Sequence, residues 1–298
     1  MKRIFLFLVT NLAVLIFLSV ITRLFNLDAA LARQGIDMQS LLIMAALIGF
    51  VGSFISLAAS KWSARHLMGV QMIQTPSDQT QAWLIDTVRA HAQRVGIGMP
   101  EVGIFDANEM NAFATGARRN NALVAVSTGL LRNMSPQQAE AVLGHEISHV
   151  ANGDMVTLAL IQGVVNTFVI FLSRVIGSVL DNLLRGGSQD ERRGAGPFYF
   201  LIVIVLQLVL GLLANMIVMW FSRQREYRAD AGGAKLVGTP NMIGALERLD
   251  LQQGSSALPG QFQAFGIDGR YAAGLQRLFM SHPPIQARIA ALRSGRYA

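Results

Sequence analysis

The chain contains no cysteine in 298 residues. Disulfides, thiolate metal ligands and thiol nucleophiles are excluded, so a metal site here must use nitrogen and oxygen donors. Charge is also scarce. Asp, Glu, Lys and Arg make up 14% of the residues, against about 25% in an ordinary soluble domain. With 52% hydrophobic residues and a mean hydropathy of +0.41, that deficit points to a membrane. The net charge is +7, but no aromatics are interleaved among the basic residues, which argues against nucleic-acid binding. The two halves show no inverted repeat of the kind that builds transporters.

Four apolar stretches are long enough to span a bilayer: residues 4–21, 41–59, 156–180 and 198–221. The first, second and fourth carry no charge. The third carries only Arg174, placed to snorkel toward an interface. The first stretch also follows Lys2-Arg3 and precedes Ala30-Leu31-Ala32, the pattern of a cleaved signal peptide. Its apolar run is longer than a usual signal core and ends well before that site, so a retained anchor is expected. Lys and Arg number two before the first stretch, seven in 61–155 and ten in 222–298, against two and three in the intervening loops. The positive-inside rule then expects both termini and the middle segment in the cytoplasm. Arg223, Arg225 and Arg228, close to a span end, are expected to meet anionic headgroups.

The chemistry concentrates at His145-Glu146-Ile147-Ser148-His149. Ser135 is an N-cap, Pro136 suits the first helical position and Gln138 completes a capping box. Ala139, Val142, Leu143, Ile147 and Val150 then recur at helical spacing, and Asn152-Gly153 reads as a stop. On such a helix the two imidazoles share one face, a turn apart, where two nitrogens reach one zinc ion. Glu146 lies beside them, placed to take a proton from a water the metal activates. The bland alternative is a surface helix that happens to carry two histidines. A catalytic zinc commonly takes three protein ligands. Glu226 and Asp230 are four apart on a helical segment, so one can bind the metal while the other accepts the second N–H of a ligand histidine.

Around this motif the pattern predicts a helix over 77–94 and a short strand over 102–105. Strands at 111–117 and 122–127 are joined through Arg118-Arg119-Asn120-Asn121. Asn111, Ala112, Phe113 and Ala114 form the expected edge, able to align an extended peptide by backbone pairing; an ordinary edge with Phe113 in the core is the other reading. Thr239 and Pro240 restart a helix as N-cap and first residue, and 251–269 reads as a loop.

His145-Glu146-x-x-His149 followed by Glu226-x-x-x-Asp230 resembles the gluzincin metallopeptidases. Asn111-Ala112-Phe113-Ala114-Thr115-Gly116 upstream and His282-Pro283-Pro284 downstream narrow the likeness to membrane members related to the CAAX prenyl proteases. The resemblance covers essentially the whole chain. It implies a mainly α integral membrane protein with a small β-sheet: four transmembrane helices plus a gluzincin-type zinc metallopeptidase domain. The expected parts are 1–60 (two transmembrane helices), 61–155 (cytoplasmic helix, small sheet and motif helix), 156–221 (two transmembrane helices) and 222–298 (cytoplasmic, carrying the third ligand). The resemblance implies one zinc per chain on His145, His149 and Glu226, with Glu146 as general base. Asp230 orients a ligand histidine, and Asp154 supports the site or caps the third span. His282 donates to the oxyanion, with a capping or core histidine as the alternative. The implied role is cleavage of misfolded or damaged membrane proteins in the bacterial inner membrane, facing the cytoplasm, in cooperation with other membrane proteases. A prenyl-protein protease and a non-catalytic four-span protein with structural zinc are the competing readings.

Overall fold

The computed structural model describes residues 37–184, 198–253 and 280–297, together with Ile16 and Val20. Apart from Ile16 and Val20, the first apolar stretch lies outside the described residues, as does most of the 251–269 loop. In chain order the elements are α1 (Met38–Leu67), β1 (Gln71–Met72), α2 (Gln79–Val95), β2 (Glu101–Phe105), β3 (Ala112–Arg118), β4 (Asn121–Ser127), α3 (Thr128–Asn133), α4 (Pro136–Asn152), α5 (Asp154–Leu184), α6 (Tyr199–Val237), α7 (Thr239–Gln253) and α8 (Ile285–Arg293). Helices α1, α5 and α6 are long and apolar enough to cross a membrane. The chain divides into two units, Met1–Ile55 with Ala159–Val218, and Ser56–Leu158 with Met219–Ala298.

In the first unit, helices α1 and α5 approach at glycines. A Cβ on Gly49 would stand 2.9 Å from the Gly163 carbonyl oxygen, and one on Gly163 would overlap the Phe50 ring. Leu41, Ala45, Phe171 and Val175 are buried around the same contact. Small residues let backbones come this close where lipid offers no hydrophobic gain for bringing helices together.

The second unit is built on a four-stranded sheet in the order β1-β2-β4-β3. Strand β2 runs parallel to β4, whereas β1 and β3 are antiparallel to their neighbours. Every residue of β4 from Ala122 to Ser127 is buried, as a strand covered on both faces requires. On one face Val102, Val124 and Val126 pack with Leu84, Ile85 and Val88 of α2 and Leu143 and Ile147 of α4. On the other, Phe105, Leu123 and Ala125 pack around Ala64, at the C-terminal end of α1, and Val70.

Helix α2 begins two residues later than its pattern suggests. Asp78 is the cap, accepting the Gln81 N–H at 2.8 Å, while the Gln81 side chain accepts the Ser77 N–H at 3.0 Å. Two elements have no clear periodic signal: β1 is two residues long, and α3 is one and a half turns capped by Ser127. Helix α7 starts at Thr239 itself, with Gly238 (φ 90°) at the cap position, and continues through Leu251 to Gln253.

Candidate metal centre

Helix α4 is fixed at both ends. Ser135 and Gln138 form a reciprocal capping box, and Gly153 closes the helix in the left-handed region (φ 64°), its N–H reaching the carbonyls of His149 and Val150. That turn needs glycine. It also sets Asp154, the first residue of α5, back against the helix it follows, with Oδ2 2.7 Å from His149 Nδ1.

Helix α6 crosses α4 at close range. A Cβ on Gly232 would fall 2.5 Å from Ser148 Oγ, and one on Gly233 would fall 3.1 Å from His145 N. This approach brings Glu226 and Asp230, one turn apart, onto the two histidines. Glu226 Oε2 lies 3.5 Å from His145 Nε2, and Oε1 lies 3.2 Å from His149 Nε2. The two Nε2 atoms are 3.1 Å apart. Asp230 Oδ1 lies 2.9 Å from His145 Nδ1.

The three donors fit a single metal ion. Ligands about 2.0–2.1 Å from a tetrahedral ion are separated by roughly 3.3 Å. The observed separations of 3.1, 3.2 and 3.5 Å bracket that value. Tautomer agrees as well. Each Nδ1–H is held by a carboxylate, so each Nε2 lone pair faces the other and faces Glu226. Neutral imidazoles arranged this way repel unless a cation sits among them. Four carboxylates (Glu146, Asp154, Glu226 and Asp230) surround the cluster with two arginines, Arg225 and Arg288, so a divalent cation balances the charge. With no cation among the donors, burial disfavours a charged His145, but hydrogen bonds and charge from Asp230 and Glu226 outweigh it and raise the imidazole to about 10, so that a proton takes the place of the cation. The site is built to hold positive charge.

Glu146 shares a cavity of about 190 Å³ with His145, Glu226 and His282. Desolvation there raises its carboxyl above the ordinary range, against the pull of His145 and His149. One wall of the cavity is apolar, formed by Leu130, Val142, Met242 and Leu246. Asn111 and Ala112 form part of the rim. The start of β3 is pinned there by Ser127, whose N–H donates to the Asn111 carbonyl at 2.8 Å and whose Oγ accepts the Asn111 N–H at 3.0 Å. Strand β3 is at the sheet edge, as expected. Phe113 turns to the opposite face and packs on Phe105 with ring centroids 5.5 Å apart. Ala114 lies on the face toward α4. Neither lines the cavity. His282 is 58% exposed and donates from Nδ1 to Glu226 Oε2 at 2.6 Å.

Arg288 is the residue the sequence reading missed. It is buried on α8 and grips Asp230 with two hydrogen bonds, Nε to Oδ2 at 2.8 Å and Nη2 to Oδ1 at 2.6 Å. The same Nη2 is 3.7 Å from Glu226. The signal was present: Ile285, Ile289 and Leu292 form an apolar helical face, and Arg288 is a lone cation within it. The structure also corrects two of the three arginines assigned to headgroups. Arg225 donates to the Asp154 carbonyl and to Ser222 Oγ, and Arg223 donates to the Met280 carbonyl. Both donate to carbonyls of the protein. Arg228 is exposed.

Comparison with known proteins gives a consistent picture. Residues 78–296 match Peptidase family M48. The chain is 59% identical over 294 residues to a "Protease HtpX homolog" of Thiobacillus denitrificans, covering 99% of both chains. It is 58% identical over 294 residues to "Protease HtpX" of Xanthomonas euvesicatoria pv. vesicatoria, covering 99% of this chain and 98% of that one. The fold is similar to the crystal structure of S. mikatae Ste24p, with a TM-score of 0.61 and 19% identity. That match covers 96% of this chain and 66% of the Ste24p chain.

Proposed function

The chain belongs to Peptidase family M48 and is a metallopeptidase, and from that premise we propose that it is a zinc endopeptidase of the bacterial inner membrane that cuts misfolded or damaged membrane proteins. Its zinc ligands are His145, His149 and Glu226. The observation that carries the ligand set is the trio of donors at tetrahedral edge spacing, with both remaining imidazole nitrogens held by carboxylates. When bound, the zinc supplies a Lewis acid that polarises the scissile carbonyl and acidifies a water molecule.

The remaining work falls to the chain itself. Glu146 takes the proton of the attacking water and passes it to the leaving amine; its raised pKa suits both steps. Asp230 and Asp154 keep His145 and His149 in the tautomer that presents Nε2, and Arg288 keeps Asp230 in place. His282, at the mouth of the cavity, turns its Nδ1–H from Glu226 to the oxygen of the attacked carbonyl. The substrate backbone pairs with the β3 edge from Asn111 to Ala114, its reacting bond beside Asn111 and Ala112. The apolar wall accepts a hydrophobic side chain, which suits segments exposed when membrane proteins misfold. Four spans, with 61–155 and 222–298 in the cytoplasm, complete the arrangement. Near-identical length and 58–59% identity to proteases named HtpX favour this reading over a prenyl-protein protease.

The test is purification in detergent with zinc and casein-cleavage assays. Glu146→Gln removes the base and no ligand, so zinc should stay near one equivalent while cleavage falls by about 100-fold or more. Undiminished cleavage in that variant would refute the assignment of Glu146.

A further inference from the structure

The turn between β3 and β4 carries Arg118 and Arg119. Both are exposed, and among the described residues neither has an ion-pair partner. Their position is defined by the end of α1. Lys61 Nζ donates to Asn121 Oδ1 at 2.6 Å, and a Cβ on Gly116 would lie 3.6 Å from Lys61 Cδ. On the far side of the turn, Asn120 Oδ1 accepts the Gly98 N–H at 2.8 Å. Lys61 and Arg65 share a single carboxylate, Glu101, which lies 3.0 Å from Lys61. The four cations therefore outnumber the one acid that faces them.

Lys61 stands two residues beyond the charge-free stretch 41–59 of the same helix. The next residue, Trp62, is 56% exposed and stacks on His66 with ring centroids 4.8 Å apart. Leu67 and Met68 are exposed as well. A tryptophan flanked by cations at the end of an apolar helix marks the level of lipid headgroups. The turn contacts the helix at that level. Arg223 and Arg225 are committed to protein carbonyls. Among the described residues, Arg118 and Arg119 have no such partner.

We propose that the β3–β4 turn is a docking surface for anionic phospholipid headgroups, contacted by Arg118 and Arg119 where the turn meets Lys61 of α1. The charge of the surface selects the occupant: unpaired arginines at an interface attract phosphodiester headgroups, by about 5-fold each. Strand β3 then leads from the headgroup level at Arg118 to the metal-site rim at Ala112. That is seven residues, six steps that span about 20 Å of extended chain. A segment drawn from the membrane would meet the proposed substrate edge first at its lipid end.

The test uses the full chain, which has no native thiol. Ala117→Cys, on the exposed flank of the turn, is placed in nanodiscs of phosphatidylcholine or of phosphatidylcholine with phosphatidylglycerol. The rate of labelling by an uncharged, bulky maleimide is then measured. Labelling should be slower in the anionic discs by about 25-fold, the product of two arginine contacts. The difference should vanish near 1 M salt, where charges are screened within about 3 Å. It should be lost in R118E/R119E and kept in R118K/R119K, which retains charge and folding. Inorganic phosphate added to detergent-solubilised protein should give no protection. Equal rates in the two lipids, protection that survives charge reversal, loss of protection in the lysine variant, or protection by free phosphate would each overturn the proposal. The readout needs no proteolysis, so its failure is distinct from failure of the peptidase reading.

Discussion

Replacing Arg288 by Met should damage the metal centre without removing a ligand. Asp230 is 1% exposed, and its partners are the two Arg288 hydrogen bonds and the His145 Nδ1–H. Methionine fills much of the arginine volume but leaves that carboxylate buried with one partner. Breaking a buried pair in this way costs about 3–5 kcal/mol. At roughly 2–4 °C per kcal/mol for a domain of this size, the unfolding midpoint should fall by roughly 6–20 °C. Without its clamp Asp230 holds His145 less firmly, and loss of such support typically weakens metal binding by about 10–100-fold. Arg288→Lys keeps the charge but not the two-pronged grip, so it should fall between wild type and Arg288→Met. Zinc affinity measured against a competing chelator, together with thermal unfolding in detergent, reads both effects. Saturating zinc should restore most cleavage to the folded fraction, because Arg288 acts through Asp230. An unchanged midpoint with zinc affinity within twofold of wild type would refute the reasoning. Cleavage that saturating zinc fails to restore would show that Arg288 acts on substrate.

Two further outcomes follow from other parts of the chain. His91 is buried between α2 and α4; among the described residues neither ring nitrogen has a hydrogen-bond partner, with Glu140 3.7 Å away and Arg94 nearby. Burial lowers its pKa more than Glu140 raises it, so below about pH 6.5 the unfolded chain binds a proton that the folded chain refuses. Stability should fall with pH from there until the folded group titrates, by at most about 1.4 kcal/mol per unit. His91→Gln should flatten that slope between pH 6.5 and 5, and an identical slope in both proteins would contradict the assignment. For the proposed topology, single cysteines at Ser188 and Ser256 in intact cells should label differently with an impermeant thiol reagent, and equal labelling would rule out four spans with a cytoplasmic site.

Local signals carried most of the element assignments. The motif helix, its capping box and its glycine stop follow from Ser135, Gln138 and Gly153, because caps are set by neighbours in sequence. The β3–β4 pair was legible from its turn residues for the same reason. The continuity of α6 through Glu226 and Asp230 fits the run from Leu212 to Ala231, which holds neither Gly nor Pro. Long-range contacts were less visible. The parallel pairing of β2 with β4 depends on a crossover that no local pattern encodes. Arg288 lies 58 residues from Asp230, and only its place on the apolar face of α8 hinted at a buried partner. Arg223 and Arg225 looked like headgroup contacts because they follow an apolar stretch, but the carbonyls that hold them come from distant Met280 and Asp154. The contact of Gly232 and Gly233 with α4 was equally silent, since a glycine pair in a helix does not reveal what approaches it.

The most direct test of the account is the composition of the metal's coordination sphere. X-ray absorption at the zinc edge, on purified wild type with its metal content measured in parallel, should give one zinc per chain. Its ligands should be two imidazoles and carboxylate or water oxygens, all at about 2.0–2.2 Å. Glu226→Ala should lose the metal or replace the carboxylate scatterer while both imidazoles remain. A wild-type spectrum requiring three or more imidazoles, or full zinc with an unchanged spectrum in Glu226→Ala, would contradict the ligand set of His145, His149 and Glu226.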